Sequence, residues 1–475
     1  MPRSAIRFLR VPFLSIAVTT MAAFTVPAVA AQASPSSAYW VTPAGARDCP
    51  SGYATIQAAV SAAESYESAH RHGAVPVVDI CPGTYAEQVT ITQSLVLTRG
   101  PVRPGLGPVT IELPASVGAN QASGLSTTTC QLKDGTVNPA VQVPQSVIEV
   151  CAADASGGNT TGTTVTASDL TVEGNWPGSV CYDSLYGVLV GGGAALNLTD
   201  STVEQVGAVS PLSGCQGGVG VEIGSAPTSQ VGHAVLRDDS IKTYQKNGIT
   251  IDGPGSTAQI DGVTVTGAGP TAAVAQNGIQ VSFGATASIA NSSVSGNNYT
   301  GTGGASSAGI LVFGGGGSKC GLGATSPLVR HSAFTGNRLS ENDMGIGFFN
   351  LDSACAKSVQ TVTGDLACGN VIENSHGYPG GKPSADANVS GWPETLLTPT
   401  PPTTGYQAGV DDYGDRDVIC DNAVSGAGYA PLGSTSSLPR VAPPAFVRPV
   451  DIVSGPAISP QVYGNTFDGR PYRPA

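Results

Sequence analysis

Four residues of this sequence have side chains suited to acid–base chemistry: Lys246, Glu222, Asp252 and Asp343. A lysine becomes a base near neutral pH when its ammonium is withdrawn from water, and a nearby carboxylate can bind or exchange a proton. The alternative is a set of solvated rim residues, because one lysine without a metal cluster is a weak catalytic pattern. We take these four as candidate catalytic residues and leave the reaction type open.

A tyrosine and three amides accompany them and could contact a substrate. Tyr186, Asn247 and Asn277 each directly precede a glycine that opens an apolar-x-apolar segment, and Gln280 lies inside one of these segments. Their side chains both donate and accept hydrogen bonds. They are the candidate substrate-binding residues.

The densest acidic segment contains Asp411, Asp412, Asp415 and Asp417. Oxygen-rich loops suit Ca²⁺, which could bridge the protein to an acidic sugar. The spacing differs from the helix-loop-helix calcium motif, so a plain acidic loop is the competing interpretation. A calcium site at these four aspartates and a plain acidic loop are therefore the two interpretations that stay open.

These residues are distributed over an internal repeat. Six glycines each open a short apolar-x-apolar segment, 28 to 36 residues apart: Gly187, Gly220, Gly248, Gly278, Gly309 and Gly345. A second pattern places a turn-forming residue between two apolar residues that are five positions apart. Nine residues fit that turn position: Asp169, Asp200, Asp238, Gly262, Asn291, His331, Gly369, Asp421 and Gly464. A period near thirty built from short strands indicates a solenoid.

Three alternating strands per repeat predict an all-β fold, a right-handed parallel β-helix of about ten coils. The hand follows from the crossover rule for parallel strands. Residues 55–64 predict a helix that caps the N-terminal opening, with Thr55 as its N-cap. The expected division is a signal peptide at 1–30, the N-terminal cap and first strands at 31–88, coils at 89–377, a proline-rich loop at 378–408, and the last coils and C-terminal tail at 409–475.

The glycine-led strands place alternate residues on the outward side of their sheet. Six residues then point outward: Leu189, Glu222, Thr250, Gln280, Leu311 and Gly347. This row is mixed and weakly polar. It contains no evident acid–base pair, so the surrounding loops are equally candidates for function.

The ten cysteines test the repeat register. Their even number in an exported chain suggests disulfides, and one coil step is a distance that a disulfide can span. The register predicts three pairs, Cys181–Cys215, Cys320–Cys355 and Cys368–Cys420. Two further pairs, Cys49–Cys81 and Cys130–Cys151, are weaker expectations.

Charge and the first thirty residues indicate the compartment. Arg3, Arg7 and Arg10 precede an apolar run and Ala28-Val29-Ala30, the layout of a secretory signal peptide. The formal net charge of −12 lacks the basic footprint of a nucleic-acid binder. No stretch has the length and apolar character of a membrane span. We expect a secreted monomer.

Two N-terminal segments carry a family resemblance. Residues 53–63, reading YATIQAAVSAA, and 77–91, reading VVDICPGTYAEQVTI, followed by Leu95-Val-Leu97, resemble the first coil of the pectin-lyase-like superfamily, especially its pectin methylesterase branch. Gly83, Tyr85 and Glu87 match that branch's Gly-x-Tyr-x-Glu element, while its glutamine-aspartate, Asp-Phe-Ile-Phe-Gly and Leu-Gly-Arg-Pro-Trp motifs have no counterparts. The resemblance implies the β-helix fold and an extracellular polysaccharide partner such as a pectin-like polyuronide.

Two hypotheses about function follow. The first is an exported β-helix protein that binds, and could cleave or modify, an extracellular polysaccharide. The second is a noncatalytic surface or adhesive protein, which the lack of a convergent catalytic set favours. Apart from Ca²⁺, the sequence suggests no cofactor.

Overall fold

The computed structural model describes residues 39–46, 48–69, 74–101, 105–114, 145–152, 162–176, 185–207, 212–300, 307–314, 329–349, 362–375, 406–412, 414–429, 446–452 and 459–472. The expected signal peptide and most of the proline-rich loop lie outside these residues, although a strand already begins at Tyr406, inside the expected loop. The described residues belong to one compact unit. No helix in the described ranges is long and apolar enough to cross a membrane.

Three long parallel sheets form the protein, and successive strands along the chain visit each sheet in turn. Sheet 1 consists of Tyr39–Val41, Val77–Ile80, Leu95–Arg99, Thr164–Ser168, Ala195–Thr199, His233–Arg237, Thr257–Asp261, Thr286–Ala290, Ala333–Thr335, Leu366–Cys368, Val418–Cys420 and Gln461–Tyr463. Sheet 2 consists of Gly83–Ala86, Val109–Glu112, Leu170–Asn175, Thr202–Gly207, Ser240–Tyr244, Thr264–Thr271, Ser293–Tyr299, Arg338–Ser340, Val371–Glu373, Ala423–Ser425, Thr466–Phe467 and the antiparallel Arg470–Pro471. Sheet 3 consists of Val89–Ile91, Gln145–Cys151, Leu185–Gly191, Val219–Ile223, Asn247–Asp252, Asn277–Ser282, Ala308–Phe313, Met344–Phe349, Tyr406–Asp412 and Phe446–Ile452. A short extra pair joins Val329–Arg330 to Val362–Thr363. The fold is the predicted right-handed parallel β-helix, and in the described part of the chain the ten strands of sheet 3 mark ten coils.

The core is built from stacked columns of aliphatic side chains, because residues that alternate along a strand point alternately inward and outward. In sheet 3 one inward column runs through Val188, Val221, Ile249, Ile279 and Ile310, all fully or almost fully buried. The pairing also stacks the six predicted outward residues from Leu189 to Gly347 in one row. The strand pairing therefore confirms the register predicted for this sheet.

The glycines that open the strands of sheet 3 allow neighbouring coils to approach closely. A Cβ on Gly248 would lie 2.6 Å from the Gly278 carbonyl oxygen and 2.5 Å from Val265 Cγ1. Neither neighbour can move freely, since one is backbone and the other is core. A side chain is excluded at this position by packing.

The turn after each strand of sheet 1 uses a left-handed residue, as the second repeat pattern predicted. Eight of the nine predicted residues have positive φ and directly follow a sheet 1 strand: Asp169, Asp200, Asp238, Gly262, Asn291, Gly369, Asp421 and Gly464. Asp and Asn tolerate this region better than other side chains, and Gly has no Cβ to clash.

The ninth prediction, His331, is wrong. His331 also has positive φ, but it follows the extra strand Val329–Arg330, and sheet 1 continues instead through Ala333–Thr335 to Gly336. Phe334-Thr-Gly336-Asn-Arg-Leu339 fits the same pattern five residues later. The additional strand placed an equivalent turn just upstream, and the pattern could not distinguish the two.

Next to the left-handed turn residues that follow the sheet 1 strands, a ladder of buried polar side chains runs from coil to coil. Asn337 N donates to Asn370 Oδ1, Asn370 N to Asn422 Oδ1, and Asn422 N to Asn465 Oδ1, each at 3.0 Å. Toward the N-terminus serine and aspartate continue it, and Ser201 N donates to Asp239 Oδ1 at 2.9 Å. The ladder satisfies backbone donors that the turn would otherwise bury without partners.

The helix Ile56–Ala69 caps the N-terminal coil, as predicted. It buries Ile56, Ala59, Val60 and Ala63 and packs against the first strands of sheets 1 and 3. Thr55 Oγ1 accepts from Ala58 N at 3.2 Å, as expected of an N-cap.

The element that resembles the esterase family has a structural role here. Glu87 receives the amides of Ile56 and Gln57 at 2.8 and 3.0 Å, which places a carboxylate at the positive end of the helix. Tyr85 donates its hydroxyl to the Cys81 carbonyl at 2.6 Å.

Two predicted disulfides lie within the described residues and both are present. Cys49–Cys81 and Cys368–Cys420 have Cα atoms 6.1 and 4.6 Å apart. Cys151 and Cys215 are also disulfide-bonded, and their predicted partners, Cys130 and Cys181, lie outside the described residues. The predicted Cys320–Cys355 pair lies wholly outside them.

Candidate functional site

The outer face of sheet 3 carries the main group of predicted functional residues. Asn247 and Asn277 pair directly across neighbouring strands, as do Thr250 and Gln280. One coil earlier, Glu222 pairs with Thr250. Parallel pairing therefore brings residues from three coils together on one surface, which we call the amide face: Glu222, Asn247, Thr250, Asp252, Asn277, Gln280 and Ser282.

Hydrogen bonds join the members of the amide face into one network. Asn247 Nδ2 donates to Thr250 Oγ1 at 3.1 Å and to Gln280 Oε1 at 3.2 Å. Asn277 Nδ2 donates to Asn247 Oδ1 at 3.2 Å, and Gln280 Nε2 donates to Ser282 Oγ at 3.1 Å. Most of these side chains are buried, and Gln280 is the partly exposed member.

Two carboxyl groups terminate this network. Ser282 Oγ donates to Asp252 Oδ1 at 2.9 Å, and the Ala226 amide donates to Asp252 Oδ2 at 2.8 Å. Burial raises the pKa of Asp252, while these donors and the Gly253 amide oppose the rise. Asp252 is thus a carboxylate supplied with hydrogen-bond donors.

Glu222 has fewer compensating contacts. Burial raises the pKa of Glu222 well above its usual range, and the nearby negative charge of Asp252 raises it further, opposed by a hydrogen bond with Thr250. Only 6 % of Glu222 is exposed. Its environment favours the neutral acid, so the pair combines a proton donor with a carboxylate.

Lys246 does not join this pair. Its Nζ donates to the Ala275 carbonyl at 2.6 Å, beyond the opposite end of the strand from Asp252. Lys246 and Asp252 are six positions apart along extended backbone, which corresponds to roughly 20 Å. Burial lowers the pKa of Lys246 to about 8, so it is a desolvated ammonium, but it does not converge with the carboxyl groups.

The remaining predicted residues have other surroundings. Asp343 Oδ2 accepts from the Tyr299 and Ser307 amides at 2.9 and 3.0 Å, which holds two backbone segments in place. Tyr186 lies in the same row as Asn247, two coils away, and packs against Cys151 and Leu189. The amide face therefore includes Asn247, Asn277 and Gln280 but neither of these two.

The predicted acidic segment is buried, and its first two aspartates end the strand Tyr406–Asp412 instead of lying in a loop. Asp411, Asp412 and Asp417 have no exposed surface, and Asp415 pairs with Arg416 at 2.9 Å. The carboxyl groups of Asp412 and Asp417 hydrogen-bond to each other, and burial raises the pKa of both. Two carboxyl groups in this arrangement share a proton most readily.

Sequence reasoning missed Asp365, which belongs to the same cluster. Its amide donates to Asp417 Oδ1 at 2.8 Å, and it comes from the preceding coil. Among the described residues, no three His, Cys, Asp or Glu side chains are placed to hold a metal ion together. The observed contacts are those expected of two carboxyl groups, Asp412 and Asp417, that share a proton. Calcium binding at this segment stays a prediction.

Only the pairing of the sheet 3 strands shows that Thr250, Asp252 and Ser282 belong to one site. Thr250 was placed in the outward row by the repeat register, but its hydroxyl link to Glu222 depends on the side-chain arrangement. In the sequence, nothing indicates a functional role for Ser282 apart from its position two residues after Gln280. Serine is too common in this chain for its type alone to indicate function.

Comparison with known proteins gives structural matches only. No protein-family profile matches the chain, and neither does any curated protein sequence. The Dettilon tailspike protein matches 88% of this chain at 12% identity and a TM-score of 0.44, and the chain spans 64% of that tailspike's length. The A-module of a mannuronan C-5 epimerase from Azotobacter vinelandii matches 87% of this chain and 94% of its own at 15% identity and a TM-score of 0.32.

A tailspike mutant of E. coli bacteriophage HK620, in complex with a pentasaccharide, matches 91% of this chain and 66% of its own at 11% identity and a TM-score of 0.41. Identities and scores this low indicate nothing about the chemistry of this chain. The β-helix assignment rests on the strand pairing described above.

Proposed function

We propose that this chain is an exported β-helix protein that binds an extracellular polysaccharide across the amide face. The observation that carries the proposal is the hydrogen-bonded network of Asn247, Asn277, Gln280 and Ser282 on the outward side of sheet 3. Amide and hydroxyl groups that both donate and accept can exchange their mutual bonds for those of sugar hydroxyls. Gln280, as the partly exposed member, is where such an exchange would begin.

Two further observations support a location outside the cytosol and a polysaccharide of the pectin-like class. The disulfides Cys49–Cys81 and Cys368–Cys420 favour an oxidising location outside the cytosol. The resemblance of residues 53–63 and 77–91 to the pectin-lyase-like superfamily favours a pectin-like polysaccharide, and we keep that membership as part of the proposal.

The carboxyl pair is the candidate centre for cleavage. Glycoside hydrolysis uses one carboxylic acid to protonate the leaving oxygen and one carboxylate as base or nucleophile. Glu222 is favoured as the acid by its burial, and Asp252 as the carboxylate by its three donors. The two residues lie diagonally on adjacent strands, since Glu222 pairs with Thr250 two residues before Asp252.

A noncatalytic binding or adhesive protein is the second candidate. The observation that favours it is the separation of Lys246 and Asp343 from the carboxyl pair, which leaves the predicted catalytic set divided. In that case the amide face would bind a glycan without changing it.

A binding and turnover screen tests both functions. Wild-type protein and the variants Asn277→Ala and Glu222→Gln would be titrated with pectate, methyl-esterified pectin, alginate and xylan, and the products assayed for new reducing ends, unsaturated sugars and methanol. Glu204→Gln, on sheet 2, is the matched control for loss of a carboxylate. The proposal expects binding to at least one glycan, roughly tenfold weaker in Asn277→Ala and unchanged in Glu204→Gln.

Turnover in the wild type that disappears in Glu222→Gln, with binding retained, supports cleavage at the carboxyl pair. Binding without any product supports the noncatalytic protein. Absence of binding to the whole panel, or equal binding by wild type and Asn277→Ala, contradicts a site at the amide face.

A further inference from the structure

Phe283 has a backbone conformation that phenylalanine rarely adopts. It follows Ser282, the last residue of a sheet 3 strand, and its φ of 51° lies in the left-handed region. The amide of Ala285 donates to the Ser282 carbonyl at 3.1 Å and closes a tight turn, in which Gly284 also has positive φ, 94°. Turns with two left-handed central residues are dominated by Gly, Asn and Asp, because a bulky side chain clashes there. Phe283 is therefore held in a strained conformation.

The same turn in an earlier coil shows which residue this position favours. In the turn Gly191–Ala194 the last amide donates to the first carbonyl at 3.1 Å, and both central residues are glycines, with φ of 64° and 84°. Strand pairing places Gly191 three coils before Ser282 in the same register, so Phe283 takes the place of Gly192. Glycine adopts such a turn without strain.

Core packing does not account for this phenylalanine. Phe283 is only partly buried and is not one of the core residues. Its ring lies against the ring of Phe313 as an edge-to-face pair, with ring centroids 5.4 Å apart and planes at 69°. This arrangement leaves at least one face of each ring outside the contact. Because strained residues cluster at ligand-binding and active sites, the conformation of Phe283 indicates a function for its ring.

Strand pairing connects the two rings to the amide face. The hydroxyl of Ser282 accepts from Gln280 and donates to Asp252, and Ser282 pairs directly with Phe313 on the next strand. Phe313 is partly exposed and points outward, because the residue before it is an inward member of the core. The two side chains are therefore on the same side of the sheet and one strand spacing apart, about 4.8 Å. We call Phe283 and Phe313 the aromatic pair.

The surroundings of the aromatic pair offer no cation that could hold an acidic group. Residues 252–257, 282–286 and 313–314, the described segments at this end of the three strands, contain Asp252 and no lysine or arginine. The next strand of sheet 3, Met344–Phe349, is uncharged. A negatively charged sugar beside Asp252 would be repelled, because like charges placed together oppose binding. An uncharged sugar meets no such repulsion.

We propose that the aromatic pair stacks against an uncharged pyranose ring of the polysaccharide bound at the amide face. The inference rests on the proposed function and specifies which part of the glycan is recognised. The C–H groups of a pyranose make one side of the ring apolar, and an aromatic face, which carries partial negative charge, attracts these hydrogens. Hydroxyl groups of the same sugar are then available to bond with Gln280 and Ser282. An aromatic surface beside a few placed polar groups is typical of ligand sites.

Substitutions of Phe283 separate recognition from folding. Wild type, Phe283→Gly, Phe283→Tyr and Tyr463→Ala would be titrated calorimetrically with pectate, fully methyl-esterified pectin, alginate and unsubstituted xylan. Tyr463 is an exposed aromatic residue on sheet 1, so Tyr463→Ala is the matched control for loss of a ring. The melting temperature of each variant is measured alongside.

The aromatic pair predicts that wild type binds esterified pectin or xylan more tightly than pectate and alginate. Phe283→Gly should weaken that binding roughly tenfold, whereas Phe283→Tyr, which retains the ring, and Tyr463→Ala should stay within about twofold of wild type. Phe283→Gly should melt no lower than wild type, because glycine adopts this φ without strain. In proton NMR, a short oligosaccharide of the tighter-binding glycan should show upfield shifts of its C–H resonances with wild type but not with Phe283→Gly.

Equal affinities of wild type and Phe283→Gly for both uncharged glycans, together with weaker binding by Asn277→Ala, overturn the role of the aromatic pair and leave the proposed function standing. Tighter wild-type binding of pectate or alginate than of the uncharged glycans also overturns it. Failure of all four glycans to bind overturns the proposed function together with this inference.

Discussion

Ser282 Oγ lies 2.9 Å from Asp252 Oδ1, and the bond joins the ends of two adjacent sheet 3 strands. It links the amide network to a buried carboxylate, so that the protonation of Asp252 and the position of Gln280 depend on the same hydroxyl. A bond to the ionised form of an acid lowers its pKa. The hydroxyl therefore helps to keep Asp252 charged despite its burial.

Ser282→Ala should raise the pKa of Asp252 further, because it removes one of the three hydrogen-bond donors that oppose the effect of burial. Carbon-detected NMR titration of the side-chain carboxyl carbon measures this directly. Ser240→Ala, on sheet 2, is the control and should leave the Asp252 titration unchanged. An identical midpoint in wild type and Ser282→Ala would show that the other donors determine the charge.

Asn370→Ala should be strongly destabilising. Its side chain accepts from Asn337 N and donates to the Phe334 carbonyl and to Asn422 Oδ1. Removing it leaves buried groups unsatisfied, at about 1–3 kcal/mol each, so a loss of about 3 kcal/mol or more is expected. Denaturant unfolding followed by circular dichroism measures it. Asn197→Ala, on the outward side of sheet 1, is the control, and its free energy of unfolding should stay within about 0.5 kcal/mol of the wild-type value. Similar losses of stability in the two variants would contradict a structural role for the ladder.

Asp239 should make the fold less stable as the pH rises. Burial raises the pKa of Asp239 to about 7, above the value of about 3.9 expected in the unfolded chain. Below pH 4 both states are protonated and ionisation costs nothing. Between pH 4 and 7 the unfolded state ionises first, so stability falls, and above pH 7 the loss levels off.

Asp239→Asn should remove most of that slope and melt at a higher temperature than wild type at pH 8, because asparagine occupies this ladder position in four later coils. Melting curves from pH 4 to 8 measure the difference. The control is Asp169→Asn, which changes an exposed turn residue two coils earlier that is not among the charges acting on Asp239, and it should keep the wild-type slope. Parallel curves for wild type and Asp239→Asn would assign the pH dependence to other carboxyl groups.

Gly248→Ala should disrupt the coil step in sheet 3. The added methyl group would meet the Gly278 carbonyl and Val265 at 2.5–2.6 Å, and overpacking of this kind costs about 1–3 kcal/mol or more. Hydrogen exchange of the Ile249 and Ile279 amides should speed up in the variant. Gly107→Ala has open space around the new methyl group and should be neutral. Equal exchange rates of these amides in the two variants would argue against tight packing at the glycines that open the sheet 3 strands.

The repeat made most of this fold predictable from sequence. Strand position, inward and outward faces and the left-handed turns all follow from residue types that recur with a fixed spacing, and eight of nine turn residues were identified correctly. His331 failed because an added two-residue strand produced a second turn with the same local spacing. A periodic pattern cannot decide between two such turns without the pairing.

The candidate site was less predictable because it depends on side-chain directions across three coils. Asn247, Asn277 and Gln280 were found from their positions relative to the opening glycines, and the structure brings them together. Lys246 and Asp252 look close in sequence but lie toward opposite ends of one extended strand, which spans about 3.3 Å per residue. Asp365 was missed because it is distant in sequence from the Asp417 it contacts.

The Cys368–Cys420 bond has a consequence for resistance to proteolysis. The two cysteines occupy paired positions on consecutive sheet 1 strands although 52 residues separate them along the chain. A protease that cuts anywhere between them leaves the two fragments covalently joined, with the strands still held in register. The last coils can thus tolerate cleavage of the polypeptide without being released from the rest of the protein.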